Sequence, residues 1–225
     1  MTDNNILQRL YEQTEQAARQ RRIADLRIGL SYVGIKLDNG AAGLAAILPE
    51  IPVRGCTVLK EAGTYAGLPA VATLRYLVSG KSSLHRTIGM ATANSLLPPM
   101  SGNAGNGEAT TYLNIRGGEK VVMVGLFAPL IERLRATGAT LTIIEKNPGR
   151  AELLSLADKQ KALQECDVAI ITATTLLNNT FAETIALLGK PRSVVLMGPS
   201  TPLCPEAFSD TPVTHLGGAT VAEAA

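Results

Sequence analysis

Residues 120–148, KVVMVGLFAPLIERLRATGATLTIIEKNP, constrain what this chain can fold into more than any other stretch. Residues 121–124 are an uncharged apolar run after Gly117 and Gly118, long enough for a buried parallel strand. Gly125 ends that run. Phe127, Leu130, Ile131 and Leu134 then recur at helical spacing, while Glu132, Arg133 and Arg135 take the opposite side. Gly138 closes the helix in the position that favours a left-handed residue. A second apolar run, residues 141–144, ends in Glu145. The order is β-α-β, and Glu145 lies twenty residues beyond Gly125. In dinucleotide-binding units an acid at about that offset accepts a hydrogen bond from a ribose hydroxyl.

The phosphate half of that fingerprint is altered. Where G-x-G-x-x-G is wanted, the chain has Gly125-Leu126-Phe127-Ala128-Pro129. Phe127 replaces the glycine that would let a pyrophosphate approach the backbone, and Pro129 removes one amide from the helix start. The expected ligand is therefore adenosine-like without a diphosphate, or another flat heterocycle beside Phe127. The competing expectation is a Rossmann-like half in which Glu145 merely ends a strand.

Composition sets outer bounds. In 225 residues, 46% are hydrophobic and 18% charged, which describes a globular chain rather than a disordered one. A net charge of +2 without a basic run gives no reason to expect nucleic acid as a partner. No apolar run approaches a membrane span, and the polar start MTDNNILQRL is unlike a signal peptide, so the cytoplasm is expected and a membrane partner is not. Cys56, Cys166 and Cys204 are widely spaced, without a C-x-x-C pair, and no metal site is read.

In chain order, Asp3 or Asn5 can cap a helix with an Ile6, Leu7, Leu10, Tyr11 stripe, and Arg19 to Arg22 suit its solvated end. From Asp25 a period-two pattern takes over, with Ile28, Leu30 and Tyr32 on one face and Val33 and Ile35 shifting the alternation. Asp38-Asn39-Gly40 predicts a hairpin turn, residues 43–48 the returning strand stopped by Pro49 and Pro52, and residues 56–59 a third strand. Residues 67–78 predict one helix, and Ser82 or Ser83 caps another running to Leu97. These elements form a small α+β domain over residues 1–100, followed by a linker, 101–118, rich in Pro, Gly, Asn and Ser. Its run Ser101-Gly-Asn-Ala-Gly-Asn-Gly107 could also cover a cleft. Residues 119–225 form a Rossmann-like domain with a mainly parallel sheet, so the fold class is α/β. Its further elements are a helix over 150–163, strands at 168–171 and 193–197, a helix opened by a Thr180–Glu183 capping box, and a last strand within 213–221.

In an open α/β sheet, ligands bind outside the carboxyl ends of the strands. Those ends offer Gly125, Leu126 and Phe127; Glu145, Lys146 and Asn147; Thr172 and Thr174; and Gly198, Ser200 and Thr201. They present hydroxyls, glycines and one acid, with no nucleophile beside a base, so catalytic residues stay unassigned. His85 and His215 fall in different halves, and packing is the expected role of His85. Cys204 lies at an expected helix start, where a thiolate would be stabilised, although a lone cysteine more often packs.

The segments VVMVGLFAPLIERL, LTIIEKNP, DVAIITATTLLNNTF and VVLMGPSTPLCPEAF, with RIGLSYVGIKL, the DNG turn and HRTIGMATANSLL, resemble the family of putative heavy-metal chelation proteins. The resemblance covers nearly the whole chain. It implies an enolase N-terminal-like module before a Rossmann-like domain, a site made by both, and a part in making or processing metal-binding small molecules. Two His, three scattered Cys and five Met without ligand spacing argue against direct storage of a soft metal. The expected partner is a small heterocyclic, nucleoside-like or chelator-like molecule of siderophore, pterin or flavin type, bound in the interdomain cleft. Condensation, hydrolysis or group transfer on it is the first expectation. A binding or sensor protein without turnover is the second, and an S-adenosylmethionine-dependent methyltransferase the third. No cofactor is identified, and self-association into a homo-oligomer stays open.

Overall fold

Three apolar residues decide how the first helix lies. In α1 (Asp3–Gln20), Ile6, Leu7 and Leu10 share one face and are fully buried. A computed structural model describes residues 3–48, 59–98, 109–147, 149 and 153–222. After α1 comes an antiparallel meander, β1 (Ile23–Ile28), β2 (Tyr32–Leu37) and β3 (Ala42–Ala46), in that spatial order. The Asp38-Asn39-Gly40 turn joins β2 to β3 as expected, with the Asn39 side chain accepting from the Ala41 amide at 3.2 Å. The shift of alternation at Val33 marks a second hairpin. The Gly29 amide donates to the Tyr32 carbonyl at 2.9 Å, which leaves Leu30 exposed at the tip. Residues 25–35 are thus parts of two strands, where the period-two reading had one continuous pattern. The third strand expected over 56–59 falls, up to residue 58, outside the described residues, as do Pro49, Pro52 and Cys56. Leu59 is buried without joining a strand.

The helix expected over 67–78 divides into α2 (Ala70–Leu74) and α3 (Tyr76–Ser79). Arg75 lies between them, and its carbonyl accepts a tight i→i−3 bond from the Val78 amide at 3.1 Å where α3 begins. The longer α4 (Ser83–Leu96) begins at Ser82, whose hydroxyl accepts from the His85 amide at 3.2 Å. It lies across β2 and β3. The linker run 101–107 lies outside the described residues. Beyond it a short 3-10 helix, Ala109–Leu113, buries Leu113.

The second sheet is parallel throughout. Its strands are β4 (Lys120–Val124), β5 (Thr140–Ile144), β6 (Val168–Thr172), β7 (Ser193–Met197) and β8 (His215–Gly217), in the order β5-β4-β6-β7-β8. Its helices are α5 (Ala128–Ala136), α6 (Leu156–Glu165), α7 (Thr174–Leu177) and α8 (Phe181–Ala186). The chain leaves β4 for β5 on one side and then crosses back to β6 on the other. The strand order therefore reverses between β4 and β6. Both faces of the sheet are covered, so the strands read as unbroken apolar runs. Val121, Met123, Val168, Ile170 and Val195 enter one buried cluster, and Val122, Ala169, Ile171, Val194 and Leu196 enter another.

That second cluster is continuous with the core under the meander, from Ile6, Leu7 and Leu10 to Phe181 and Phe208. Helix α1 packs on α2, α3 and α4 and also on the 3-10 helix Pro205–Phe208. Phe181 and Phe208 meet edge to face with ring centres 6.2 Å apart. Two local expectations fail. Helix α6 starts after Ser155, because the Ser155 hydroxyl caps it, accepting from the Asp158 amide at 3.1 Å and donating to the Asp158 carboxylate at 2.6 Å. Ahead of α8 no capping box forms. The Thr180 hydroxyl donates instead to Asn178 Oδ1 at 2.7 Å, inside a turn already closed by the Thr180 amide and the Thr175 carbonyl.

Candidate functional site

The carboxyl ends of β4, β5, β6 and β7 open onto a cleft of about 820 Å³. It lies over the point where the strand order reverses, the usual ligand position in open α/β sheets. Its far wall comes from the meander, through Ser31, Tyr32, Ala46, Ile47 and Leu48.

The floor at the switch point is set by a close approach. Gly125 has φ 86°, and a Cβ there would lie 2.7 Å from Thr172 Cγ2. Glycine alone meets both demands without strain. Its amide donates to the Ile144 carbonyl at 2.9 Å, extending the β4–β5 ladder by one step. Leu126 and Phe127 then turn into α5, with the Phe127 amide directed at Met123 Sδ, 3.4 Å away. Phe127 is half-buried and lines the cleft, and its ring edge lies beside Gly198.

Glu145 ends β5 and is 8% exposed. Its Oε1 accepts from the amides of Lys146, at 2.7 Å, and Asn147, at 3.1 Å, which fixes the carboxylate over its own turn. The Asn147 side chain closes the next turn by accepting from the Gly149 amide at 2.9 Å. At the end of β6, Thr172 and Thr174 hydroxyls are 3.0 Å apart, and Thr175 donates to the Thr172 carbonyl at 2.7 Å.

Ser200 has a different partner. It is fully buried, and its Oγ accepts from the Ala46 amide of β3 at 2.8 Å. Asn94 of α4 reinforces that seam by donating to the Leu44 carbonyl at 2.9 Å and to the Pro199 carbonyl at 3.4 Å. Arg86, also on α4, donates to the Leu177 carbonyl at 2.7 Å, and burial pulls its guanidinium below the usual pKa. The loop after β7 is thus tied to the meander at the cleft's edge.

Nine of the ten residues expected at the site line this cleft: Gly125, Leu126, Phe127, Glu145, Asn147, Thr172, Thr174, Gly198 and Ser200. Thr201 is buried beside it and does not. The expectation missed the meander wall and one face of α6. Leu156, Lys159 and Leu163 line the cleft at i, i+3 and i+7, a spacing visible in the sequence. It also missed Glu183 and Asn178. His85 and His215 are not among the lining residues. His85 Nδ1 is 2.7 Å from Ser82 Oγ and its ring packs edge-on against Tyr76, while His215 Nδ1 is 2.8 Å from Thr214 Oγ1. Cys204 is buried, and both burial and the Glu206 carboxylate push its thiol up, against a thiolate role. No helix among the described residues is long and apolar enough to cross a membrane.

The chain is similar to proteins of three organisms. An uncharacterized protein of Methanocaldococcus jannaschii is 26% identical over 203 residues, covering 87% of this chain and 77% of that one. A protein of unknown function from Pyrococcus horikoshii has a crystal structure that matches with TM-score 0.76 and 22% identity, covering 96% of this chain and 88% of the other. A second, from Desulfitobacterium hafniense, matches with TM-score 0.72 and 24% identity, covering 94% and 87%. These two likenesses establish the fold. Two family models, both described as putative heavy-metal chelation, match residues 11–97 and 108–225. With the second covering more than half of the sequence, the chain belongs to the putative heavy-metal chelation family.

Proposed function

We propose that this protein binds a small organic molecule with a flat ring, nucleoside-like or chelator-like, in the cleft between the meander and the parallel sheet. The observation that carries this reading is the coincidence of the cleft with the reversal of strand order. Phe127 offers a ring face or edge, and Glu145 offers a fixed carboxylate for hydroxyl or N–H donors. A volume of about 820 Å³ suits a molecule of nucleoside size with room for a substituent.

The family's description points to heavy metals, and the donor set can be compared with that. Soft ions prefer thiolate and imidazole. Among the described residues the lining holds two carboxylates, Glu145 and Glu183, and neither His nor Cys. Among the described residues no three His, Cys, Asp or Glu side chains are grouped to hold a metal ion. These residues do not fit a heavy metal held directly by the protein. An organic chelator, its precursor or its metal complex, bound through the organic part, fits them better.

The hydroxyls favour binding over turnover. Thr175 donates to a carbonyl, Thr172 and Thr174 face each other, and Ser200 is held in the seam, so none of them stands against a base. The test is a thermal-shift panel of pterins, flavin precursors, nucleosides, S-adenosylmethionine and catechol or hydroxamate chelators, followed by mass spectrometry of each hit. A ligand at a hundred times its Kd should add about 2.7 kcal/mol of stability. No stabilisation by any class would sink the proposal. Recovery of a condensed, hydrolysed or methylated product would replace a binding role with an enzymatic one.

A further inference from the structure

We infer that Lys159 is the anion-recognition residue of this cleft, so that the bound ring carries a carboxylate or a phosphate. The inference rests on the cleft being a ligand site. Lys159 lies on the inward face of α6 between two leucines. Leu163, one turn further along, is 4% exposed and enters the core, whereas Leu156, one turn earlier, is 69% exposed at the rim. With a rise of about 1.5 Å per residue, the Lys159 backbone sits roughly midway between floor and mouth. A lysine at such a position lays its stem along the apolar surface and presents its charge to whatever the cavity holds.

No acid among the described residues pairs with it. Lys120, by comparison, pairs with Glu165 at 2.8 Å. Among the described residues no carboxylate oxygen comes within ion-pair distance, 4.0 Å, of the Lys159 ammonium. The acids that share the cleft are placed elsewhere. Glu145 accepts from its own turn's amides, and Glu183 is exposed on α8. Asp158, next to Lys159 in sequence, is engaged by Ser155 at the helix cap. Lys146, at the end of β5, is the second cation among the described lining residues. On the β5–α6 side these residues offer two cations beside one acid held at the strand end. A ligand that stacks near Phe127, donates to Glu145 and extends an anionic group toward α6 satisfies all three.

The experiment uses matched pairs that differ by one anionic group: adenosine against AMP, and pterin against pterin-6-carboxylate. Each is titrated calorimetrically into the full-length protein and into the Lys159→Gln and Lys159→Arg variants. In the wild-type protein the anionic member of at least one pair should bind roughly ten- to a hundred-fold tighter, with an advantage that shrinks as salt rises. Lys159→Gln should erase that advantage and leave the neutral member unchanged, and Lys159→Arg should keep most of it. Which pair responds tells phosphate from carboxylate. Equal binding of the neutral and anionic members in the wild type overturns the role of Lys159 while the cleft remains a ligand site. An advantage that survives in Lys159→Gln does the same. If no member of either pair binds, the anionic ring class is wrong, and the panel of the preceding section then decides whether the cleft binds anything else.

Discussion

Ser200→Ala separates a structural seam from a ligand contact. The hydroxyl is fully buried, and its oxygen accepts the Ala46 amide at 2.8 Å across 154 residues of sequence. Removing it leaves that amide without its acceptor at the edge of β3. Losing the acceptor of a largely buried amide costs about 1–2 kcal/mol, less than the full penalty because Ala46 is only half-buried. For a chain of this size each kcal/mol moves Tm by about 2–4 °C, so ligand-free Tm should fall by about 2–8 °C. Differential scanning calorimetry of the two proteins without ligand reads this directly. Ser200→Cys, with a weaker acceptor of nearly the same shape, should fall between them. A Tm within about 1 °C of wild type, coupled with weaker ligand binding, would falsify the seam and return Ser200 to the ligand.

Three further outcomes follow from the same geometry. Gly43→Ala should destabilise by about 3 kcal/mol or more, read by urea denaturation, because a Cβ there would lie 2.3 Å from the Ala91 carbonyl oxygen and the Ser95 nitrogen of α4; a change below about 1 kcal/mol would mean that β3 and α4 can part freely. Glu145→Gln should weaken a ribose-bearing ligand by about 1.5–3 kcal/mol while folding holds, since an amide oxygen can still accept from Lys146 and Asn147; unchanged affinity in calorimetry would leave Glu145 as a turn residue alone. Two bonds from Arg192, at 2.7 and 2.8 Å, and one from the Arg116 amide hold the Glu119 carboxyl down at about 2 from an ordinary 4.5. A depressed acid stabilises above its unfolded pKa, so this contribution is complete above about pH 4.5 and fades toward pH 2; partial exposure of Arg192 limits it to about 1–2 kcal/mol. Wild type and Glu119→Gln should therefore differ in urea midpoint at pH 6 and converge by pH 2, and a constant gap would refute the pairing.

The parts of this fold that could be read in advance are those in which a residue's local chemistry and its place in the core agree. The β4–α5–β5 unit is one. Apolar strands buried on both faces cannot be anything but uniform, and Gly125 must stop β4 because its neighbour Thr172 leaves no room for a side chain. The Asn39 turn is another, since its side chain and the backbone bonds between Leu37, Gly40 and Ala41 close the loop locally. The hairpin at Gly29 escaped detection because Leu30, an apolar residue, sits fully exposed at its tip and continues the alternation that the strands begin. The break at Arg75 escaped for a related reason. Leu74 and Leu77 keep helical spacing across it, and the interruption lies in backbone bonding that residue types do not encode. At the site, strand ends were legible because the sheet order dictates where they open. The meander wall was not, because Ala46 acquires its place through a bond to Ser200, 154 residues away, and Ser31 and Tyr32 follow it through their pairing within the meander.

That long-range seam bears on how the cleft can work. A pocket between two bodies joined only by a linker would change width as the bodies moved, and its affinity would carry the cost of ordering them. Here three side chains bridge the bodies close to the cleft itself: Ser200 to β3, Asn94 to the loop after β7, and Arg86 to the end of α7. Away from the cleft, α1 packs on the 3-10 helix Pro205–Phe208, and Arg9 pairs with Asp210 beyond it. With one apolar cluster running beneath both sheets, opening the cleft would expose buried Phe181 and Phe208. Hinge motion at the seam is therefore opposed by both polar and apolar contacts. Under the proposed reading, selectivity in such a cleft would come from groups already in position, with Glu145 held by the amides of its own turn and Lys159 on a four-carbon stem. A ring of the wrong width would then be rejected by walls that the seam holds in place, while the position of its charge would be tolerated. Ligands of one ring type with anionic arms of differing length should therefore bind with similar affinity, and widening the ring should abolish binding.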